Sequence, residues 1–412
     1  MPPGAEGARV GDAEAALIPA AERARYARRD IAAPPAAHVA LDSAPAVRPA
    51  RPRALAELLL TGGLTPFLFA ASWLLRRSLG LDAAELAVGF LFFHAAHVIN
   101  DPHFAVTYLL FYRRARLADG GRWQRARWIG AGVVVPIVLA TWAAIALSAW
   151  SPHALGLLVQ LMFALVGWHY VKQGFGVMLA LAARRGVRFD ARERLALLAH
   201  AIAGWAYAWC NPADPGTEVE EKGVVFTTIA RSPTLERVAL AMFLASTAWL
   251  AIVLVRKRMR EGALPIATPL VAFVASIWAW SIGSSADPLV VYAVPALHSV
   301  QYLYFVWLMK TNQAREREGP PHFELSARVR VAILAATAIA LGVFIFHVAP
   351  SALDGWLVPR HVRGVFDPVG ATPYLAAITA LVNIHHYFMD AVIWRRENPE
   401  TSYLVAGDRH PD

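Results

Sequence analysis

Residues 83–112 read AAELAVGFLFFHAAHVINDPHFAVTYLLFY. A hydrocarbon core of about 30 Å needs about 20 mainly apolar residues as a helix, and this run is long enough. Its centre, Phe92–Phe104, nevertheless carries His94, His97, Asn100, Asp101 and His103. Comparable apolar runs recur along the chain. Together they predict an all-α, polytopic integral-membrane helical bundle.

The composition agrees. Of 412 residues, 57% are hydrophobic and 17% are charged, whereas ordinary soluble domains carry about 25% charge. Ten spans are expected, at 55–75, 83–112, 128–150, 154–182, 193–210, 237–255, 265–282, 287–309, 329–349 and 372–394. The expected organisation is a disordered cytoplasmic tail over 1–53, a transmembrane domain over 54–396 and a short cytoplasmic tail over 397–412. The tail is rich in Ala, Pro and Arg without a continuous apolar core, so no signal peptide is read there.

The net charge of +9 lies in short segments between the runs. Arginines cluster after the second, fourth, sixth and eighth runs, and the alternate loops are poor in them. Positive charge stays on the cytoplasmic side, which places both termini inside a bacterial-type inner membrane. This pattern reads as topology and not as a nucleic-acid surface. The single cysteine, Cys210, excludes a disulfide framework or a thiolate-ligated cluster within one chain.

Of the 14 histidines, eight fall well inside expected spans: His94, His97, His103, His169, His200, His298, His385 and His386. His347 lies near the outer end of the ninth span and is set apart from them. Spans two, four, eight and ten run in the same direction and carry their histidines at similar depth. His94, His97 and Asp101 are spaced i, i+3, i+7, which is one helical face. Asn383, His386 and Asp390 repeat that spacing. His169, Lys172 and Gln173 share a face, as do His298, Gln301 and Tyr302. His200 has no polar neighbour on its face and reads as structural.

Ionisable groups inside a membrane are costly and mark functional sites. Imidazole with carboxylate is a ligand set for iron, manganese, zinc or copper. The expected ligands are His94, His97, Asp101, His103, His169, His298, His385, His386 and Asp390. Asn100, Lys172, Gln173, Gln301, Tyr302 and Asn383 are expected to support them. Nine candidates exceed the needs of one ion, so two metals, or one metal with the surplus groups orienting its imidazoles, are expected. Oxygen activation at an open position favours non-haem iron, two ions, ahead of zinc, manganese or copper.

With HAAHVINDPH standing for one histidine box and IHHYFMD for another, the chain loosely resembles the integral-membrane di-iron desaturases and hydroxylases. The resemblance covers short motifs only, and no HxxxH or HxxHH box is present. It implies oxidation of a lipid or isoprenoid with electrons from a cytoplasmic donor. In being many-spanning and histidine-bearing the chain is also similar to membrane carotenoid-cleaving oxygenases, without shared motifs. The competing expectations are a proton- or ion-coupled transporter using the same His, Asp and Lys residues, and a haem protein with two axial histidines.

Overall fold

The computed structural model describes residues 51–114, 121–212, 215–262, 267–283, 287–318, 322–359, 367–395 and 397–406. Most of the expected N-terminal tail, and residues 407–412 of the C-terminal one, lie outside this set. The chain folds as helices with one two-stranded hairpin among the described residues. In order they are α1 (Arg51–Leu58), α2 (Thr65–Leu79), α3 (Leu81–Ala96), α4 (Asn100–Arg114), α5 (Arg122–Ile129), α6 (Val135–Ser148), α7 (Pro152–Arg184) and α8 (Ala191–Cys210). The hairpin strands β1 (Glu218–Glu221) and β2 (Val224–Thr227) follow. After them come α9 (Pro233–Glu261), α10 (Ala267–Val274), α11 (Pro288–Glu316), α12 (Ala327–Val343), α13 (Ala349–Leu357), α14 (Pro373–Ile393) and α15 (Tyr403–Ala406). Wide π-helical turns join α5 to α6, extend α10 through Ile282, and join α12 to α13.

Seven helices are long and apolar enough to cross a membrane, or eight if the bent pair α1–α2 is one span. The ten expected spans coincide with helical stretches, but two fall short of that standard. The fifth, α8, opens with Arg192, Glu193 and Arg194. The seventh is a shorter apolar helix, Thr268–Ile282.

Several helix starts follow directly from the sequence. Ser151-Pro152, Ser232-Pro233 and Asp287-Pro288 each place an oxygen-bearing cap before a proline at the first helical position. The cap oxygen accepts an orphan backbone N–H, and proline has no N–H to lose there. Asp287 also accepts from Ser72 Oγ at 2.8 Å and pairs with Arg76 at 3.2 Å, so it ties α2 to the start of α11. Asp190 and Glu193 form a reciprocal capping box on α8.

The acidic segment after α8 is the hairpin. Lys222 and Gly223 both have positive φ, 50° and 83°, as its two-residue turn requires. Val225 N–H donates to Pro368 O at 2.7 Å, which docks the hairpin on the loop before α14. Phe226 presses on Gly156 of α7, where an added Cβ would lie 2.4 Å from the Phe226 Cβ.

Helix α14 packs against α7 and α4, and α4 packs against α11 and α12. Glu57 of α1 is buried against Arg184 at 3.2 Å and also pairs with Arg185, fixing the short first helix to the end of α7. These packings bring the polar stretches of α4, α7, α11 and α14 together.

Candidate metal centre

The expected second span is one membrane-length helical stretch, Leu81–Arg113, interrupted by a turn. Residues 97–99 form a turn between α3 and α4, and Pro102 sits in the first turn of α4. Proline is tolerated in a first turn, where its missing N–H breaks no helical bond. The break therefore precedes Pro102. Across it His97 still stands beside Asp101, while His103, two residues on from Asp101, lies on the opposite side of the helix.

His103 of α4, His169 of α7, His298 of α11 and His386 of α14 converge. Each offers a ring nitrogen, and the four lie within 4.8 Å of one another. All four side chains are buried. Ring centroids of His103 and His386 are 4.4 Å apart, those of His103 and His298 5.0 Å, and those of His169 and His298 4.8 Å. His103 Nε2, His169 Nε2 and both nitrogens of His298 and His386 have no hydrogen-bond partner among the described residues.

Asp390 lies beside this group, one turn after His386. Its Oδ2 is 3.3 Å from His386 Nε2 and 3.7 Å from His169 Nε2. Neither approach has hydrogen-bond geometry. Tyr302 donates to the other oxygen, Oδ1, at 2.9 Å, and Thr107 Oγ1 is 2.7 Å from the Tyr302 hydroxyl. The carboxylate is thus held from one side and left open on the side facing the imidazoles.

The surrounding groups orient the rings. Ser299 Oγ donates to Asn100 Oδ1 at 2.9 Å and lies 3.1 Å from His103 Nδ1. With the serine proton directed to Asn100, His103 Nδ1–H is the donor to Ser299, and its Nε2 lone pair faces the cluster. A hydrogen bond on one ring nitrogen sets which nitrogen is left for a ligand. Tyr387 stacks on His169 at 4.6 Å and donates to Asn383 Oδ1 at 3.1 Å. Gln173 Nε2 donates to His298 O at 3.2 Å and to Gln301 Oε1 at 2.8 Å; Gln301 Nε2 donates to Thr61 O at 2.7 Å. These two glutamines bridge α7, α11 and the α1–α2 break without touching an imidazole ring.

The remaining candidates stand elsewhere. His94 is exposed, and its Nδ1–H donates to Phe90 O at 2.9 Å. His385 is buried, but its Nδ1 meets the Tyr108 hydroxyl at 3.0 Å, outside the four-histidine group. Lys172 is exposed, with its ammonium 5.6 Å from the centre of the Trp168 ring. His97 and Asp101 form a separate group with His347, in which His347 Nε2 lies 2.8 Å from Asp101 Oδ2. His200 meets Ser246 Oγ at 3.2 Å and accepts from Trp278 Nε1 at 3.3 Å, in keeping with a structural residue.

Sequence reasoning passed over His347, Ser299 and Thr107. His347 did carry a signal, a lone histidine within the apolar FIFHV stretch, but its partner was invisible without the helix packing. Ser299 and Thr107 adjoin site residues yet are too common in helices to stand out.

The donor set is imidazole with a carboxylate, suited to first-row transition ions. Neither a family model, a curated protein nor a solved structure matches the chain.

Proposed function

We propose that this protein is a multi-pass integral-membrane metalloenzyme with one non-haem iron held by His103, His169, His298 and His386, with Asp390 beside them. It oxidises a lipid or isoprenoid substrate by hydroxylation, desaturation or cleavage. The observation that carries this reading is the convergence of four buried imidazoles whose facing nitrogens have no partner among the described residues. A buried polar group left without a partner costs about 1–3 kcal/mol. Several such groups aimed at one point are accounted for together by a shared cation.

The spacing favours one ion in this group. Nitrogens about 2.0–2.1 Å from a common ion lie about 3.3 Å apart in a tetrahedron and about 4.2 Å apart when opposite. Both separations fall inside the 4.8 Å spread of the four nitrogens. Two ions about 3.5–4 Å apart would need more donors than four histidines and one carboxylate supply. Among the described residues Asp390 is the one carboxylate beside the four histidines, so one iron fits better here than two.

The chemistry such an ion supplies is redox chemistry toward dioxygen at an open coordination position. The protein's residues do the rest. Ser299 and Asn100 hold the His103 ring in one tautomer. Tyr302 and Thr107 hold Asp390 so that its open oxygen faces the imidazoles. Phe104, Tyr170 and Tyr387 pack around the rings and exclude water.

In this reading the ten helical stretches cross or enter an inner membrane with both termini cytoplasmic, as the arginine distribution supports. The substrate enters laterally from the bilayer, and an electron donor docks on the basic cytoplasmic face. The carrier reading draws on one observation. The α1–α2 pair is bent by 58°, and the Thr61 carbonyl at the break accepts from Gln301. Broken helices with freed carbonyls are a feature of transporters.

The test is metal content by mass spectrometry on detergent-purified protein, beside an absorption spectrum. At least one equivalent of iron is expected, without a Soret band. One equivalent is lost in His298→Ala and His386→Ala and kept in His94→Ala. Product analysis of lipid extracts then follows. Failure to bind iron after anaerobic reconstitution with ferrous ion would overturn the reading, and substrate flux without bound metal would replace it with the carrier.

A further inference from the structure

Outside the four-histidine group, His97, Asp101 and His347 stand together. They come from three segments: the turn that ends α3, the first turn of α4, and the π-turn Phe344–Val348 between α12 and α13. Their ligand atoms lie within 4.8 Å of one another. The His97 and His347 rings are stacked, with centroids 4.0 Å apart and planes inclined by 13°. Asp101 is buried, while both imidazoles are half-buried.

The backbone is arranged to make this meeting. His97 and Asp101 are four apart and stay on the same side across the 97–99 turn. Gly342 lets α12 close on α4 at this point: an added Cβ would lie 2.8 Å from the Asp101 carbonyl carbon. The π-turn five residues on carries His347 to the carboxylate. Wide turns of this kind occur often at functional sites.

We propose that His97, Asp101 and His347 form a second, separate site for a first-row divalent cation. Two imidazoles and one carboxylate are the protein ligand set of many such sites, which keep positions open for water or a further ligand. The 2.8 Å between His347 Nε2 and Asp101 Oδ2 suits this role. Two donors about 2.0–2.1 Å from an ion and at right angles to each other are about 2.9 Å apart. On binding, the ion takes the place of the proton between them, a neutral His347 carries that proton on Nδ1 instead, and one of the two stacked rings turns so that both lone pairs meet at the ion. The ion joins the α3–α4 break to the π-turn of α12, and its open positions face the half-exposed side. This inference uses none of the residues assigned to the iron centre and does not depend on that reading.

The experiment uses full-length protein in detergent, stripped with a chelator and dialysed against cobalt(II) or zinc. Bound metal is counted by mass spectrometry, and the cobalt ligand-field spectrum is recorded. Wild type is expected to bind two equivalents. His347→Gln and His97→Gln are expected to bind one, with the spectrum of the four-histidine site unchanged. His298→Ala is expected to bind one with the complementary spectrum. Zinc is expected to raise the unfolding temperature of His298→Ala and to leave that of the His298→Ala/His347→Gln double variant unchanged. Binding of a single equivalent by wild type, unaltered by His347→Gln, would overturn the second site while leaving the first intact. A single equivalent lost with His347→Gln and kept in His298→Ala would uphold this site and overturn the iron centre. No binding by any form would overturn both.

Discussion

His386 Nε2 lies 3.3 Å from Asp390 Oδ2, one turn along α14, yet the two make no hydrogen bond. Residues four apart on a helix are neighbours, so contact alone is unremarkable; the mutual aim is not. The carboxylate takes its hydrogen bond from Tyr302 on the other oxygen, and the His386 ring lies in a group with three further imidazoles.

The hold on His103 predicts the effect of removing Ser299. Its hydroxyl stands between Asn100 and the imidazole. Loss of a group that orients a ligand typically lowers metal affinity about 10–100-fold. Ser299→Ala is expected to bind ferrous or zinc ion that much more weakly in chelator competition, and Ser299→Thr to keep most of the affinity. Equal affinities in all three proteins would refute the orienting role.

Tyr302 predicts a stability effect distinct from binding. Its hydroxyl is shared by Asp390 and Thr107, both buried. Tyr302→Phe strips the buried Asp390 carboxylate of this donor, a loss of about 1–3 kcal/mol for an unpaired buried group, while Thr107 keeps its bond to His103 O at 3.2 Å. The variant is expected to unfold at lower denaturant concentration, and Thr107→Val alone is expected to cost less. Equilibrium unfolding in detergent checks both.

Gly174 marks where α7 and the π-turn after α10 touch. A Cβ there would meet the Ser276 Cβ and Oγ at 2.5 Å. Overpacking of this kind costs about 1–3 kcal/mol. Gly174→Ala is expected to destabilise the protein by that amount, and Ser276→Gly to relieve it. If the second change adds to the damage, the two residues do not oppose each other as described.

Acid is expected to loosen the start of α8. The Glu193 backbone N–H donates to Asp190 at 2.9 Å and holds its carboxyl below the ordinary carboxylate range. A depressed folded value means the stabilisation is complete above the unfolded value. It is lost as pH falls through the folded one. Amide exchange over residues 191–194, compared at neutral and acidic pH after correction for intrinsic rates, should show protection falling on acidification. Asp190→Asn, which caps without titrating, should flatten the change.

Much of the architecture is legible along the chain. Apolar runs of about 20 residues locate the long helices, because backbone polar groups in lipid must be satisfied within the helix itself. Ser-Pro and Asp-Pro pairs mark three helix starts. The histidine-bearing stretches are visible too, and so is their similar depth, since depth follows from a rise of about 1.5 Å per residue.

Rotation and partnership are not legible in that way. His385 and His386 are adjacent, yet one meets Tyr108 and the other joins three histidines from distant helices. The spacing of His386 from Asn383 and Asp390 sets it on another face from His385, but it does not say what either face meets. The face that turns inward is set by how α14 packs on α4 and α7. The histidines of FFHAAHVINDPHF divide between an exposed position, one group and another because His103 is two residues on from Asp101 and so lies on the opposite side of the helix, against different neighbours. His347 joins His97 and Asp101 because Gly342 admits a close helix approach and a π-turn adds its rotation. Periodicity states which residues share a helix face, while only packing between helices distant in sequence decides which faces meet.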